Sequence, residues 1–171
     1  RYNKEESHFL TCDNPYFQLI HRSINRCVDV RDEFDRGEHN SKEVDWSMLE
    51  HIDQNYSEYK KKKKLIDFND MIKMLLEKEN KIPEFDVVFI DEAQDLSPLQ
   101  WKLYDILKQK SKDMYLAGDD DQAIFAWAGA DVNRFINEPA KEKILKYSKR
   151  ISKSVQEQSQ MCVENILGDR K

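Results

Sequence analysis

Residues 87–90, Val-Val-Phe-Ile, form an apolar run that ends directly in two acids, Asp91 and Glu92. The run does not alternate with polar residues, which is typical of a strand buried on both faces of a parallel sheet. The acids follow at the carboxyl end of that strand, where open α/β sheets bind their ligands. Carboxylates are costly to desolvate there without a cation, and a magnesium ion would remove the cost. For the pair alone, solvated capping acids are an equal alternative.

The helix that follows has its own start signal, which weakens that alternative. Ser97 is a suitable N-cap, Pro98 fits the first helical position, and Gln100 completes a capping box. An apolar face follows at helical spacing: Leu99, Leu103, Ile106 and Leu107. Because Ser97 caps this helix, the acids of residues 91–95 are not needed as caps, and they indicate a site.

From residue 85 onward, strand and helix patterns alternate, which predicts an α/β fold with parallel strands and right-handed crossovers. Strands are predicted at 86–90, 113–117 and 143–147, and helices at 98–109, near 121–127 and at 152–167. We expect the first two strands to pair in parallel. Gln122, which follows the second strand, should then lie at the same sheet edge as Asp91 and Glu92.

The preceding part of the chain is polar and has helical patterns only. One helix is predicted within residues 14–37, a second starts at Asp45, and a third is capped by Asp67. A run of five lysines, residues 60–64, precedes the third helix. A solvated helix end is the favoured interpretation of this run, and phosphate binding is the alternative.

Composition limits the classes of protein to which the chain can belong. The net charge of −5 argues against a uniformly basic surface, although it allows a local basic groove. The cysteines Cys12, Cys27 and Cys162 are odd in number and lack metal-ligand spacing, so we expect reduced thiols in the core. With neither a membrane-length apolar run nor a signal peptide, the expected location is cytoplasmic. The first residue, Arg1, suggests a fragment of a longer protein.

A second predicted strand, in DMYLAG, is also followed directly by polar residues, at the start of GDDDQAIFAWAGAD. Gly118 allows a tight exit from the strand, and the amide of Gln122 can both donate and accept hydrogen bonds. Phe125 and Trp127 follow among small residues. Taken alone, these two aromatics favour core packing, with an exposed stacking platform for bases as the alternative.

Together these segments resemble the motifs of UvrD/Rep-type superfamily 1 DNA helicases. DEAQD at 91–95 resembles their Walker B motif, or motif II, and GDDDQAIFAWAGAD at 118–131 resembles motif III. DFNDMI at 67–72 resembles the segment that precedes the Walker B strand, and KYSKRISKSV at 146–155 resembles motif IV. The four segments occur in the order that the family has.

The resemblance implies a fold, an activity and partners. Residues 65–171 would be part of a RecA-like (P-loop NTPase) motor domain, 1A, with a parallel sheet and helices. Residues 1–64 would be the helical inserted subdomain 1B. The intact protein would be an ATP-dependent DNA helicase that uses ATP and Mg²⁺, binds single-stranded and duplex DNA, and moves 3′ to 5′.

The resemblance also implies roles for individual residues at the nucleotide. Asp91 would hold the magnesium of MgATP, and Glu92 would polarise the water that attacks the γ-phosphate. Gln122 would sense that phosphate and couple it to the DNA site. Arg150 would stabilise charge in the transition state, as arginine fingers do.

On the DNA side, the resemblance implies that Phe125 and Trp127 lie under the single strand and stack on its bases. Some residues depart from the family pattern. Ala128 stands where the family usually has Arg, and residues 148–149 replace the usual Asn and Tyr before Arg150.

The largest departure is that the 171 residues contain no G-x-x-x-x-G-K-[ST] phosphate-binding loop. We therefore expect the isolated chain to lack ATPase activity. A non-hydrolysing RecA-like module that binds DNA or a partner is the alternative to a helicase fragment. A recombination nuclease–helicase of the same superfamily is a third reading, but the sequence has no visible nuclease constellation to support it.

Overall fold

The computed structural model describes residues 14–38, 43–145 and 149–167. The chain divides into two compact units, Arg1–Ile136 and Asn137–Lys171. The described helices of the larger unit are α1 (Pro15–Arg26), α2 (Val30–Asp35), α3 (Trp46–Lys63), α4 (Phe68–Leu76), α5 (Pro98–Gln109) and α6 (Val132–Ile136). Its strands are β1 (Phe85–Ile90) and β2 (Ser111–Leu116), and the smaller unit contains α7 (Lys153–Leu167). No helix in these ranges is long and apolar enough to cross a membrane.

The two strands pair in parallel, as predicted, with Ile90 opposite Leu116 and Phe85 opposite Ser111. Helix α5 connects them and packs against β2. Strand β2 begins two residues before the predicted 113–117. The pairing confirms a parallel α/β arrangement, although the described sheet has two strands only.

The third predicted strand, 143–147, is wrong for residues 143–145, which have no strand structure. Ile144 and Leu145 gave this segment its apolar pattern, and both side chains are largely exposed. Without burial or a neighbouring strand, the pattern has nothing to stabilise it as a strand. Residues 146 and 147 lie outside the described part of the chain.

Burial of β1 on both faces is also wrong in this structure. Val88 and Ile90 are partly buried on one face of the strand, but Val87 and Phe89 on the other face are exposed, Phe89 at 75%. The ring of Phe89 stacks on that of Tyr115, with 5.0 Å between ring centroids. An apolar run indicates that a strand can be buried on both faces. In this structure, the described residues cover only one face of β1.

Helix starts follow the predicted capping residues. The Ser97 side chain accepts from the Gln100 backbone, the Gln100 side chain caps in return, and Pro98 occupies the first turn of α5. Asp67 forms the corresponding reciprocal capping box at the start of α4, and Asp45 caps α3. These starts were predictable because each cap uses only neighbouring residues.

One predicted helix within residues 14–37 is instead two. Cys27 ends α1 in the left-handed region, with φ 56°, and the Asp29 side chain then caps α2. The helix predicted near 121–127 is likewise replaced by two short 3₁₀ turns, Asp120–Gln122 and Ala126–Ala128. The Asp119 side chain caps the first turn by accepting from the Asp121 amide, and both turns stay short because 3₁₀ hydrogen bonds have poorer geometry than those of an α-helix.

The main core lies between α1 and α3, where four buried residues pack together: Leu19, Ile20, Val44 and Leu49. Helix α5 buries Trp101 and Tyr104 together with the predicted Leu99. The expected burial of the cysteines is wrong for Cys27 and Cys162, which are free and exposed. Cys12 lies outside the described residues.

The lysine run forms the last turn of α3 and the residue that caps it, as the helix-end interpretation predicts. Lys60 differs from the exposed lysines after it, since its Nζ lies 2.8 Å from Asp67 Oδ2 and 2.7 Å from Asp70 Oδ2. Tyr56 donates a further hydrogen bond to Asp67. Burial raises the pKa of Asp67, but hydrogen bonds from Lys60 and from the Asp70 backbone outweigh it and bring that pKa to about 2.

This ion pair predicts a pH-dependent stability. Because the pKa of Asp67 is lowered, its ionised form stabilises the fold above the ordinary value of 3.8, and the stabilisation is lost as pH falls towards about 2. The Asp67→Asn change keeps a capping oxygen but removes the charge that Lys60 binds. Its melting temperature should be lower than wild type at pH 7, with a deficit that shrinks below about pH 4. The exposed Asp113→Asn change is the matched control, and a deficit independent of pH would contradict the prediction.

Candidate functional site

The two strand exits lie side by side and are joined through their backbones. The Ala117 amide donates to the Ile90 carbonyl at 2.8 Å, and the Ala93 amide donates to the Ala117 carbonyl at 2.9 Å. The loop after β1 carries Asp91 and Glu92, and the loop after β2 carries Gln122 in a 3₁₀ turn. The parallel pairing therefore places Gln122 at the same sheet edge as the two acids, as predicted.

A buried amide, that of Gln94, connects these loops at the side-chain level. Gln94 is 1% exposed; its Nε2 donates to Glu92 Oε2 at 2.8 Å, and its Oε1 accepts from the Asp119 amide at 3.0 Å. One side chain thus fixes the acid of the first loop and the backbone of the second. Sequence reasoning did not single out Gln94, although it is the only uncharged polar residue within DEAQD.

Gly118 makes this contact possible by leaving room for it. A Cβ at Gly118 would lie 2.6 Å from Gln94 Oε1 and 2.8 Å from Cζ of Phe135. Real Cβ atoms do not approach other atoms so closely. The glycine is thus required for close packing between the two loops, in addition to its predicted use as a tight strand exit.

The acids themselves are accessible. Asp91 and Glu92 are exposed, and the Glu92 backbone lies in the left-handed region with φ 52°. The Glu92 amide donates to Asp91 Oδ1 at 3.0 Å, so the two side chains leave the strand from one tight turn. Oδ1 of Asp95 is buried and has no hydrogen-bond partner among the described residues. Carboxylate oxygens are the donors that Mg²⁺ prefers, and exposed carboxylates at this edge fit a magnesium–phosphate group.

Gln122 is exposed, and its amide is oriented by the loop that carries it. Its Nε2 donates to Asp119 Oδ2 at 2.6 Å. Across the described ranges, no cluster of three or more His, Cys, Asp and Glu side chains is arranged to hold a metal ion. Any cation at this edge would therefore need ligands from a bound nucleotide or from water in addition to Asp91.

Phe125 and Trp127 are both exposed, Trp127 at 55% and Phe125 at 42%. Their ring centroids are 6.3 Å apart, and the ring planes are inclined by 47°. The core-packing interpretation of these rings is therefore wrong in this structure. We call Phe125 and Trp127 the aromatic pair. The turn that carries Trp127 packs against α1.

Arg150 belongs to the smaller unit and is exposed. Its predicted role at the γ-phosphate stays a prediction. The structure brings together the acids and Gln122, with the aromatic pair a few residues beyond Gln122 on the same segment.

Comparison with known proteins identifies the family to which these motifs belong. Residues 4–143 match the UvrD/REP helicase N-terminal domain. The chain belongs to the UvrD/REP helicase family. This match confirms the resemblance that the motifs carry, and it includes both strand exits and the aromatic pair.

Three similar proteins illustrate the relationship. RecBCD enzyme subunit RecB from Buchnera aphidicola subsp. Acyrthosiphon pisum is 40% identical over 98 residues, 52% of this chain and 8% of RecB. ATP-dependent DNA helicase PcrA from Leuconostoc citreum is 29% identical over 108 residues, 57% of this chain and 14% of PcrA. ATP-dependent DNA helicase Rep from Buchnera aphidicola subsp. Baizongia pistaciae is 34% identical over 88 residues, 47% of this chain and 13% of Rep. The UvrD/REP chain thus spans only 8 to 14% of these relatives.

The buried amide gives a stability prediction for the site. Gln94→Glu keeps the side-chain shape but places a carboxylate against Glu92 and removes the amide donor. We expect unfolding to become easier by about 1–3 kcal/mol at pH 7, the cost of leaving buried polar groups unsatisfied. The loss should be smaller at pH 5, where the new acid can be protonated.

Denaturant unfolding of the variant and wild type measures this difference. The exposed Gln54→Glu change on α3 introduces the same charge away from the site and should be close to neutral. Equal stability of Gln94→Glu and wild type at pH 7 would show that the amide does not hold the two loops together.

Proposed function

We propose that this UvrD/REP chain supplies part of the first motor domain of an ATP-dependent DNA helicase. The observation that carries the proposal is the single buried amide of Gln94, which joins the acid loop after β1 to the loop that leads to Gln122 and the aromatic pair. Residues 65–171 belong to the RecA-like motor domain 1A, and residues 1–64 to the helical insertion 1B. The proposed partners are ATP and single-stranded and duplex DNA.

At the nucleotide, the chain's own carboxylates have separate tasks. Asp91 would hold the magnesium of MgATP, and the ion would neutralise charge on the phosphates. Glu92 orients and polarises the attacking water, and its carboxylate is held in place by the Gln94 amide. The exposure of both side chains supports this assignment, since a nucleotide must reach them from solvent.

The proposal gives Gln122 and Arg150 separate roles in the reaction of the nucleotide. The Nε2 of Gln122 would donate to an oxygen of the γ-phosphate, and its amide is already oriented by Asp119. Arg150, supplied by the motif IV segment, stabilises the charge that develops during phosphoryl transfer. A change in the contacts of Gln122 then affects the segment that continues from it to the aromatic pair.

At the DNA, the aromatic pair stacks on bases of the single strand. Stacking on exposed rings suits a protein that moves along DNA, because every base has a flat face and no sequence is selected. The partial exposure of both rings supports this assignment. Movement in the 3′ to 5′ direction and duplex unwinding are part of the proposal and rest on the family alone.

Removing the proposed catalytic acid tests the enzyme assignment. In the whole protein, Glu92→Gln should lower single-strand-stimulated ATP turnover by about 100-fold or more, the usual effect of losing a general base. Binding of a fluorescent ATP analogue should persist, because Asp91 is unchanged. Glu84→Gln, an exposed acid that precedes β1 at the opposite end of the sheet, is the control.

Retained turnover in Glu92→Gln would contradict the assignment. A wild-type protein that binds DNA but never hydrolyses ATP would support the non-hydrolysing module instead. The 171-residue chain by itself should show no turnover, since it lacks the G-x-x-x-x-G-K-[ST] loop.

Truncation of the larger ring tests the DNA assignment. Trp127→Ala in the whole protein should weaken binding of a thymidine oligonucleotide by about ten-fold, from a stacking contribution of about 1–3 kcal/mol. DNA-stimulated turnover should fall while basal turnover stays nearly constant. Tyr59→Ala removes an equally exposed ring from α3 and should leave both unchanged.

Melting temperature must be measured on the same samples. A large loss of stability with unchanged affinity per folded molecule would mean that Trp127 is a packing residue. It would also remove the DNA-binding role of the aromatic pair.

A further inference from the structure

We propose that Asn25 of α1 is a positioning residue for the aromatic pair, with Arg22 in a supporting role. The inference rests on the proposed function, in which the aromatic pair stacks on single-stranded DNA. Neither residue belongs to a helicase motif identified in the sequence, and both lie more than 100 positions before the backbone that they contact.

The segment that carries the aromatic pair cannot anchor itself. Residues 123–130, Ala-Ile-Phe-Ala-Trp-Ala-Gly-Ala, contain no charged, amide or hydroxyl side chain. Within the segment, the described hydrogen bonds join backbone groups, such as the 2.9 Å bond from the Ala128 amide and the 3.2 Å bond from the Ala130 amide, both to the Phe125 carbonyl. Polar contacts that fix the turn relative to the rest of the protein must therefore come from other elements.

Asn25 supplies the shortest of these side-chain contacts. Its Nδ2 donates to the Ala128 carbonyl at 2.8 Å, directly after Trp127. The turn and α1 also approach each other closely here, because a Cβ at Gly129 would lie 3.2 Å from Cβ of Asn25. Gly129 has φ 97°, which favours glycine, and so the chain can turn closely over α1 at this point.

Arg22, one turn earlier on α1, approaches the preceding carbonyl. Its Nη1 lies 3.5 Å from the Trp127 carbonyl, a longer and weaker contact than that of Asn25. The guanidinium is held by Glu33, which is completely buried and also accepts from Arg26 Nη1 at 2.9 Å. This ion-pair cluster between α1 and α2 keeps Arg22 directed towards the turn.

Backbone anchoring of this kind matters most for a ring with few contacts of its own. Trp127 is 55% exposed, so packing alone does not fix the orientation of its ring. The carbonyls of Trp127 and Ala128 belong to the peptide groups that follow the Trp127 Cα. Holding them preorganises the ring for a base, and preorganisation improves affinity by reducing the ordering cost of binding.

A double-mutant cycle in the whole protein separates positioning from folding. Asn25→Ala should weaken binding of a fluorescein-labelled thymidine oligonucleotide by about five-fold, the order expected for one net hydrogen bond. In a Trp127→Ala background, the same Asn25→Ala change should have almost no further effect, because the ring that it positions is gone. Asn55→Ala is the matched control, since the Asn55 amide bonds the His51 carbonyl of its own helix.

A second variant covers the case in which Asn25→Ala lowers stability. Asn25→Asp keeps the shape of the side chain but offers only acceptor oxygens to the Ala128 carbonyl, so its affinity should fall at least as far. Unchanged affinity in folded Asn25→Asp overturns the inference. Equal losses from Asn25→Ala with and without Trp127 also overturn it. If Trp127→Ala itself leaves affinity unchanged, the proposed stacking function fails, which is a distinguishable result.

Discussion

The arrangement of the candidate site depends on the buried amide of Gln94. An amide is suited to this position because it donates with one end and accepts with the other. The donor end contacts the Glu92 carboxylate, and the acceptor end contacts the Asp119 backbone. A charged or apolar side chain of similar size would satisfy one of these partners at most. Gly118 is required by the same contact, because any larger residue would displace the amide.

The sheet gives this edge its geometry but does not bury its own side chains on both faces. The outer face of β1 leaves Phe89 exposed, and its ring stacks on Tyr115 of β2. The position of the strand exits is nevertheless well defined, since the parallel ladder and two backbone bonds beyond it fix them.

Features governed by neighbouring residues were predictable from the sequence. The capping boxes of Ser97 and Asp67 were correct because every participating group lies within four positions. The parallel pairing was also correct, since two apolar strands joined by a helix have few other arrangements. The site residues Asp91, Glu92 and Gln122 were brought to one sheet edge for the same reason.

Features governed by tertiary contacts were missed. Burial of Phe89 depends on what covers the sheet, and exposure of Trp127 depends on how its turn lies on α1. The roles of Gln94 and Asn25 depend on partners 25 and 103 positions away, which no local pattern specifies. The left-handed Cys27 that divides the first predicted helix is a further example, because cysteine is not a typical residue for that conformation.

The hydrogen bonds at the two ends of the segment that carries the aromatic pair bear on communication between the proposed nucleotide site and the proposed DNA site. The segment between Gln122 and Asp131 is held at its start by the Gln122–Asp119 bond and at its end by the bond from the Asp131 amide to the Leu96 carbonyl. Leu96 directly follows the 3₁₀ turn that contains Gln94, so both ends of the segment are tied to the strand exits. In the proposed function, a displacement of Gln122 would pass to the aromatic pair through a segment held in this way, whereas a loose loop would absorb it. The absence of a polar side chain at Ala128 is compatible with this, because contacts from α1 and from the strand exits hold the segment instead.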